Sequence, residues 1–385
     1  MRKIAAITGS RAEYDILYPV LKLMQESVQF ELNLIVTGPH LSEMYGRTVE
    51  NIERDGFTIA DRIYNLVNTN QKIGRIISLG NQIPAIAQTF DRLKPDFVIV
   101  VGDREEAISA TMTAAFMDIA AVHIAGGDIA KDGNIDNAVR YAAGKFAHIH
   151  FTILEQHKKN LIKMGEDEWR IFTVGNPALD RFVTTPYLSI RQLSDALHFD
   201  LDMSPFLVLI QHPIITNYEQ EAYHIRQTLD AILETGLKCL INYPNSDPGN
   251  YPLIEAYKEY TAKNAHLFLF QNLDRIIYVN LLRHAACLLG NSSSGLLEAP
   301  SLGLPVVNIG PRQRGRVHAE NVIFVDNKKQ EILNALNHSL YNDSYRSEVK
   351  KCKNPYGDGN SAKKIVNILA ELPINSALIH KNITY

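Results

Sequence analysis

The chain has 385 residues, more than one ordinary core accommodates, so two domains are expected. Hydrophobic residues make up 46% and charged residues 21%, a globular composition, and a formal net charge of -3 gives no general attraction for nucleic acid or anionic membranes. Three widely spaced cysteines (Cys239, Cys287, Cys352) suggest neither a disulfide framework nor a metal knuckle. No apolar run has the length of a membrane span, and the opening "MRKIAAITGSRAEYD" lacks the features of a signal peptide, which points to a cytoplasmic protein.

In chain order, short apolar runs predict strands at Ile4–Thr8, Glu31–Val36, Phe97–Val101, Ala120–Ile124 and His148–Ile153, with helical patterns between them. The segment Asn176–Tyr187 ("NPALDRFVTTPY") breaks the rhythm with two prolines. The alternation restarts with Phe206–Ile210, Cys239–Tyr243, His266–Phe270, Cys287–Leu289, Val306–Ile309 and Val322–Phe324. Such alternation is the signature of β-α units around parallel sheets. The expected fold class is therefore α/β, with two Rossmann-like domains (1–180 and 181–360) facing a cleft. Ser361–Leu372 reads as an amphipathic helix with apolar positions at Ile365, Ile368 and Leu369, and residues 361–385 are expected to pack back onto the first domain.

Ligands of such sheets bind beyond the carboxyl ends of the strands, and polar residues recur there. Arg11 follows the first strand in "TGSRAEYD", and His40 closes "TGPH" after the second. "VGDREEA" carries Asp103 and Arg104. "HIAGGDIAKDGNIDNAVR" carries His123, Asp128, Asp132, Asp136 and Arg140. In the second half, "IQHPIITN" carries His212 and "NYPNSD" carries Asn245 and Asp247. Each has an ordinary reading on its own: a surface ion pair for Asp103–Arg104, a turn for Gly126–Gly127, a backbone-bonded histidine for His212. Their joint placement at one edge favours a site. The stretch "LLGNSSSGLLEAPSLGLPVVNIGPRQRGR" adds three serines between a strand and a helical turn, where unpaired N–H groups suit an anion. None of these turns matches the P-loop or the GxGxxG fingerprint, which argues against an ATPase of that kind and a nicotinamide dehydrogenase.

Taken together, "TGSRAEYD", "VTGPHLSEMYGRT", "VGDREEA", "HIAGGD…IDNAVRYAAGKFAHIH", "VGNPALD", "QHP" and "GNSSSGLLEAPSLGLPVVNIGPRQRGR" resemble the hydrolysing UDP-N-acetylglucosamine 2-epimerases of sialic and nonulosonic acid biosynthesis. The motifs span nearly the whole chain in the family's order. The resemblance implies a fold of the B-type glycosyltransferase kind, a nucleotide-sugar substrate, release of N-acetylmannosamine and UDP, no metal or redox cofactor, and a homodimer. It places Ser292 and Ser293 on the diphosphate and Glu298 on both ribose hydroxyls, a task for paired carboxylate lone pairs. It places Arg312 and Arg11 near the phosphates, which guanidinium groups bind bidentately. Asn245 and His212 then face the nucleotide and sugar, Asp103, Arg104 and Asp136 lie close to the reacting sugar, and His40 is a further substrate-binding candidate. The sequence departs from the family at Ala125, where several relatives carry a glutamate treated as an acid or base. Asp128, just beyond the glycine pair, is the expected replacement.

The sugar C2 proton is not acidic, because no carbonyl adjoins it. The expected route is therefore loss of the nucleotide with that proton to give a 2-acetamidoglucal, then rehydration with inversion. Asp103, Asp128 and Asp136 are the expected acids and bases, with His212 orienting or donating to the leaving diphosphate. The alternatives are the same reaction on a UDP- or GDP-linked 2,4-diacetamido-trideoxyhexose of the legionaminic acid route, for which Ala125 would make room, and a non-hydrolysing 2-epimerase. A glycosyltransferase and a non-catalytic sugar-nucleotide-binding regulator belong to other classes.

Overall fold

A computed structural model describes residues 1–69, 71–129, 135–214, 220–244, 250–271 and 273–384. Of the candidates above, Asp132, Asn245 and Asp247 lie outside the described residues. The chain divides into two compact units, one formed by Met1–Arg181 with the residues from Tyr356 onward, the other by Phe182–Pro355.

In the first unit seven parallel strands form one sheet: β1 (Arg2–Thr8), β2 (Phe30–Thr37), β3 (Ile59–Ile63), β4 (Phe97–Val101), β5 (Ala120–Ile124), β6 (Ile149–Thr152) and β7 (Ile171–Thr173). Their order is β3-β2-β1-β4-β5-β6-β7. β4 and β5 are buried along their whole length, as a parallel sheet covered by helices on both faces requires. Alternate residues of β1 serve opposite cores: Ile4 and Ala6 join one apolar cluster, Ala5 and Ile7 the other. β3 and β7 were not expected from the sequence. Both are edge strands; β3 (IADRI) carries two charged residues and β7 is three residues long, so neither presents a buried apolar run.

The second unit repeats the plan with six parallel strands: β8 (Phe206–Ile210), β9 (Lys238–Asn242), β10 (Leu267–Phe270), β11 (Cys287–Gly290), β12 (Val306–Ile309) and β13 (Val322–Val325), ordered β10-β9-β8-β11-β12-β13. In each sheet the winding reverses beside the first strand, between β1 and β4 and between β8 and β11. Such switch points open a crevice beyond the carboxyl ends of the two strands.

The chain returns to the first unit through the helix Ser361–Glu371, which buries Ala362, Ile365 and Leu369 in the same cluster as Leu17 and Leu21 of the helix Arg11–Glu26. Asp180 caps the returning helix from outside it, accepting the N–H groups of Ser361 (3.1 Å) and Ala362 (2.6 Å). Beyond the helix, buried Arg170 donates to the carbonyls of Leu378 (2.8 Å) and Ala377 (2.7 Å). Lys381 donates to Ala147 O (2.6 Å) and Lys145 O (2.9 Å) and pairs with Glu166 at 2.6 Å. Glu166, whose side chain is wholly buried, also takes Lys145 (2.9 Å) and His150 (3.2 Å).

Candidate functional site

In the first unit, β1 ends in the turn Gly9–Ser10. Glu13 folds back over it, and its Oε2 accepts the N–H groups of Gly9 (2.8 Å) and Ser10 (2.9 Å). This turn is therefore capped by its own side chain. Glu106 packs beneath it, so closely that a Cβ on residue 9 would fall 2.0 Å from Glu106 Oε1. Burial pushes the Glu106 carboxyl up to about 7 and raises Glu13 as well, the two negative charges opposing each other. Arg11, the first residue of the helix that follows, is exposed and makes no hydrogen bond or ion pair among the described residues.

His40, expected at the substrate, is fully buried, with Nε2 on Thr8 Oγ1 (3.1 Å) and Nδ1 on Thr48 Oγ1 (2.7 Å). Burial, partly offset by a backbone bond at Ser10, lowers its pKa to about 4. Both ring nitrogens are thus engaged within the fold. His40 ties the loop after β2 to the end of β1, and no ring atom is left for a substrate in this conformation.

After β4 come Gly102, Asp103 and exposed Arg104. His123 of β5 donates from Nε2 to the Gly102 carbonyl (2.6 Å), and burial keeps this histidine neutral, with its pKa near 3. Asp103 is ion-paired with Arg140, and Arg75 bridges Glu105 and Asp136, the latter at 3.4 Å. Burial raises the Asp103 carboxyl above its ordinary range; Arg140 opposes this and the charge of Asp136 adds to it. Arg140 is 9% exposed, and its Nε and Nη1 are buried without a hydrogen-bond partner among the described residues. The fold thus gathers Asp103, Asp136 and Arg140 into one charged group.

Ala125, at the end of β5, takes a left-handed conformation (φ 62°), uncommon for a residue with a Cβ and a form of backbone strain that tends to cluster at functional sites. Asp128, three residues on, meets His157 Nε2 at 3.2 Å and accepts the N–H of Ile129 at 2.8 Å. Burial works against its charge, but the bond and charge of His157 and the charge of Arg140 prevail and hold the pKa near 2. Asp128, expected from the sequence as an acid or base, is thus held in its anionic form by His157.

In the second unit the turn after β11 lies beside the end of β8. Gly290 has φ 116°, and a Cβ there would sit 2.1 Å from the carbonyl oxygen of Ile210. Gly290→Ala is expected to cost at least about 1–3 kcal/mol from backbone strain alone, and urea unfolding of the purified variant measures it; a loss below about 0.5 kcal/mol would contradict this packing. The amide of Asn291 then clamps the backbone of His212, accepting from His212 N (2.7 Å) and donating to His212 O (2.8 Å). Arg312 Nη1 (3.2 Å) and Gln313 Nε2 (3.0 Å) both donate to the Asn291 carbonyl. Ser292 and Ser293 follow, half-buried, and the helix they introduce is a single turn, Ser294–Leu297. One turn carries little macrodipole, so the helix end read from the sequence is weak here.

Ser294 donates to Glu298 Oε2, and Tyr278 meets Ser294 Oγ at 2.5 Å. Tyr278 also lines a pocket of about 320 Å³ with His212, Asn242, Tyr243, Phe270 and Gln271, beyond the ends of β8, β9 and β10. Sequence reasoning missed Asn291, Gln313, Ser294, Tyr278 and Arg75. The first three lie within or beside a motif singled out for other residues, and nothing local marks what they touch.

Two Rossmann-like parallel sheets, each with polar turns at its switch point, define a two-unit α/β protein. Residues 22–370 match the UDP-N-acetylglucosamine 2-epimerase family, and the chain belongs to that family. It is 33% identical to the UDP-N,N'-diacetylbacillosamine 2-epimerase (hydrolyzing) of Legionella pneumophila, over 99% of each chain. It is 30% identical to a UDP-N-acetylglucosamine 2-epimerase of Neisseria meningitidis, over 87% of each. Among solved structures, UDP-GlcNAc 2-epimerase from Neisseria meningitidis bound to UDP-GlcNAc superposes with a TM-score of 0.79 at 22% identity, covering 95% of this chain and 99% of that one, a likeness of fold.

Proposed function

We propose that this chain is a hydrolysing 2-epimerase of a UDP-linked 2-acetamido sugar, releasing the C2-inverted free sugar and UDP. The observation that carries the reading is the Asp103–Arg140–Asp136 group that follows β4 and β5, where burial raises the pKa of the Asp103 carboxyl beside a buried cation. A carboxylate with a raised pKa is a better base than one of ordinary range, which suits removal of a weakly acidic C2 proton. We assign that step to Asp103, with Asp136 as the second carboxyl. In the second unit Ser292, Ser293 and Arg312 take the diphosphate, whose departure leaves positive charge on C1 and negative charge on the leaving group. Arg11 and Arg104 supply cations from the first unit, Glu298 takes the ribose, and His212, with its backbone clamped, faces the diphosphate. Water then adds its oxygen to C1 of the 2-acetamidoglucal while a proton is delivered to C2 on the other face, inverting C2. The reading includes a cytoplasmic homodimer that needs no metal or redox cofactor.

The sugar we favour is a 2,4-diacetamido-trideoxyhexose. Relatives of Legionella pneumophila and Campylobacter jejuni named for UDP-N,N'-diacetylbacillosamine and GDP/UDP-N,N'-diacetylbacillosamine are each 33% identical to this chain. The methyl of Ala125 also occupies less space than a glutamate. UDP-N-acetylglucosamine is the second reading, supported by the 30% identical Neisseria relative.

The test is NMR of the products from a panel of UDP- and GDP-linked amino sugars in D2O, with no acceptor present. The expected result is free UDP and a free 2,4-diacetamido sugar, inverted and deuterated at C2. Release of N-acetylmannosamine from UDP-N-acetylglucosamine alone would select the second reading. An intact epimerised nucleotide sugar would identify a non-hydrolysing enzyme. Turnover only after an acceptor sugar is added would identify a transferase.

A further inference from the structure

Glu298 is a long side chain that must present both carboxylate oxygens to two neighbouring hydroxyls, and a glutamate free to rotate loses conformational entropy when held that way. Ser294, four residues earlier and 7% exposed, donates to Glu298 Oε2. A serine hydroxyl has one proton. Once it is given to the carboxylate, the serine oxygen can only accept, so the 2.5 Å contact with Tyr278 runs from the tyrosine hydroxyl to Ser294. The protons therefore point from tyrosine and serine toward the carboxylate, the tyrosine hydroxyl serving both Ser294 and Glu298. Burial, then the nearby charge of Glu298, pushes the Tyr278 hydroxyl far above its ordinary pKa, so it stays a donor.

We propose that Tyr278 and Ser294 are positioning residues that fix the Glu298 carboxylate to receive the ribose diol of the nucleotide, through a shared Tyr278–Ser294–Glu298 hydrogen-bond network. The inference rests on the assignment of Glu298 to the ribose and names the groups that make that assignment work. Tyr278 belongs to the helix Arg275–His284 and its ring is also a wall of the 320 Å³ pocket. The same side chain thus shapes the space beyond β9 and β10 and, through its hydroxyl, sets the acid that follows the serine turn. A site whose polar groups are fixed beforehand discriminates more sharply against a ligand lacking their partners.

The test compares UDP with 2',3'-dideoxy-UDP by titration calorimetry, because only the first has the diol. The wild-type protein is expected to prefer UDP by at least about tenfold. Tyr278→Phe keeps the ring and removes the hydroxyl; it should cut that preference about three- to tenfold while binding dideoxy-UDP as before. Ser294→Ala should act alike, and the double variant should lose less than the two single losses combined, as members of one hydrogen-bond network do. Melting temperatures on the same preparations identify any variant that is not folded; for such a variant Ser294→Cys replaces Ser294→Ala. Equal weakening of both ligands by Tyr278→Phe would show that the ring merely shapes the pocket and would overturn the positioning role. Additive losses in the double variant would overturn it too. Failure of the underlying assignment has a different signature: wild-type protein would show no preference for the diol, or Glu298→Gln would keep the wild-type preference.

Discussion

Asp103→Asn should lower turnover by about 10²–10⁴-fold, the usual worth of one positioned acid or base, while UDP affinity changes less than about threefold. The substitution keeps the size of the side chain and removes its ability to take a proton. Asp103 is raised by burial, with Asp136 adding to that and Arg140 opposing it. The acid limb of kcat/KM should therefore lie above the ordinary carboxylate range, activity rising with pH as Asp103 loses its proton, and the variant's residual rate should lack that limb. UDP is expected to be insensitive because the groups assigned to it are chiefly Ser292, Ser293, Glu298 and Arg312. Turnover assays across pH, with calorimetric titration of UDP on the same preparation, check both halves. A variant within tenfold of wild type would remove Asp103 from the proton transfer and direct attention to Asp136.

The second large effect concerns stability. Glu166→Ala should cost about 3–5 kcal/mol, the usual penalty for breaking a buried ion pair from one side, and should lower the first unit's melting temperature by about 10 °C. It would leave the ammonium of Lys381 and the ring of His150 without their carboxylate. Glu166→Gln, which keeps a polar acceptor, should cost less. Burial disfavours the charge of Glu166, but its bond from His150 and the charge of Lys381 outweigh that and hold the pKa near 2, against 4.5 ordinarily. A folded-state pKa below the unfolded one gives stability that is present above about pH 4.5 and is lost as the pH falls toward 2. The gap between wild type and Glu166→Ala should therefore be widest near neutrality and narrow in acid. Thermal melts at pH 7 and pH 3.5 measure it; a gap independent of pH would show that the carboxylate's charge is not what holds this corner.

The alternating architecture was legible because parallel strands buried on both faces must be continuous apolar runs, and β4 (FVIVV) and β8 (FLVLI) are such runs. β3 was hidden by Asp61 and Arg62, residues that an edge strand tolerates and a central one does not. Polar residues at strand ends were legible as a group, whereas their partners were not. The clamp of Asn291 on His212 joins residues 79 apart and exists because β11 lies beside β8. Strand order cannot be read from local pattern, so the clamp had no signal. His40 and Asp128 show the converse. Both were visible as polar residues at the right edge, but Thr48 and His157 lie farther along the chain, and it is they that engage the ring and the carboxylate.

The first unit is interrupted by the second, and its last helix and the Lys381 contacts belong to chain that follows Pro355. On a ribosome the roughly 170 residues of the intervening unit take about 10–35 s to emerge. Throughout that interval the helix Arg11–Glu26 has no Ile365 or Leu369 to pack against, and Glu166 has no Lys381. The second unit, continuous in sequence, can fold while the first waits with an uncovered apolar face. Nascent-chain order thus inverts sequence order: the unit whose synthesis starts first is the last to be completed, and a ribosome stalled before residue 361 would hold a chain exposed to chaperones and proteases at its amino-terminal half.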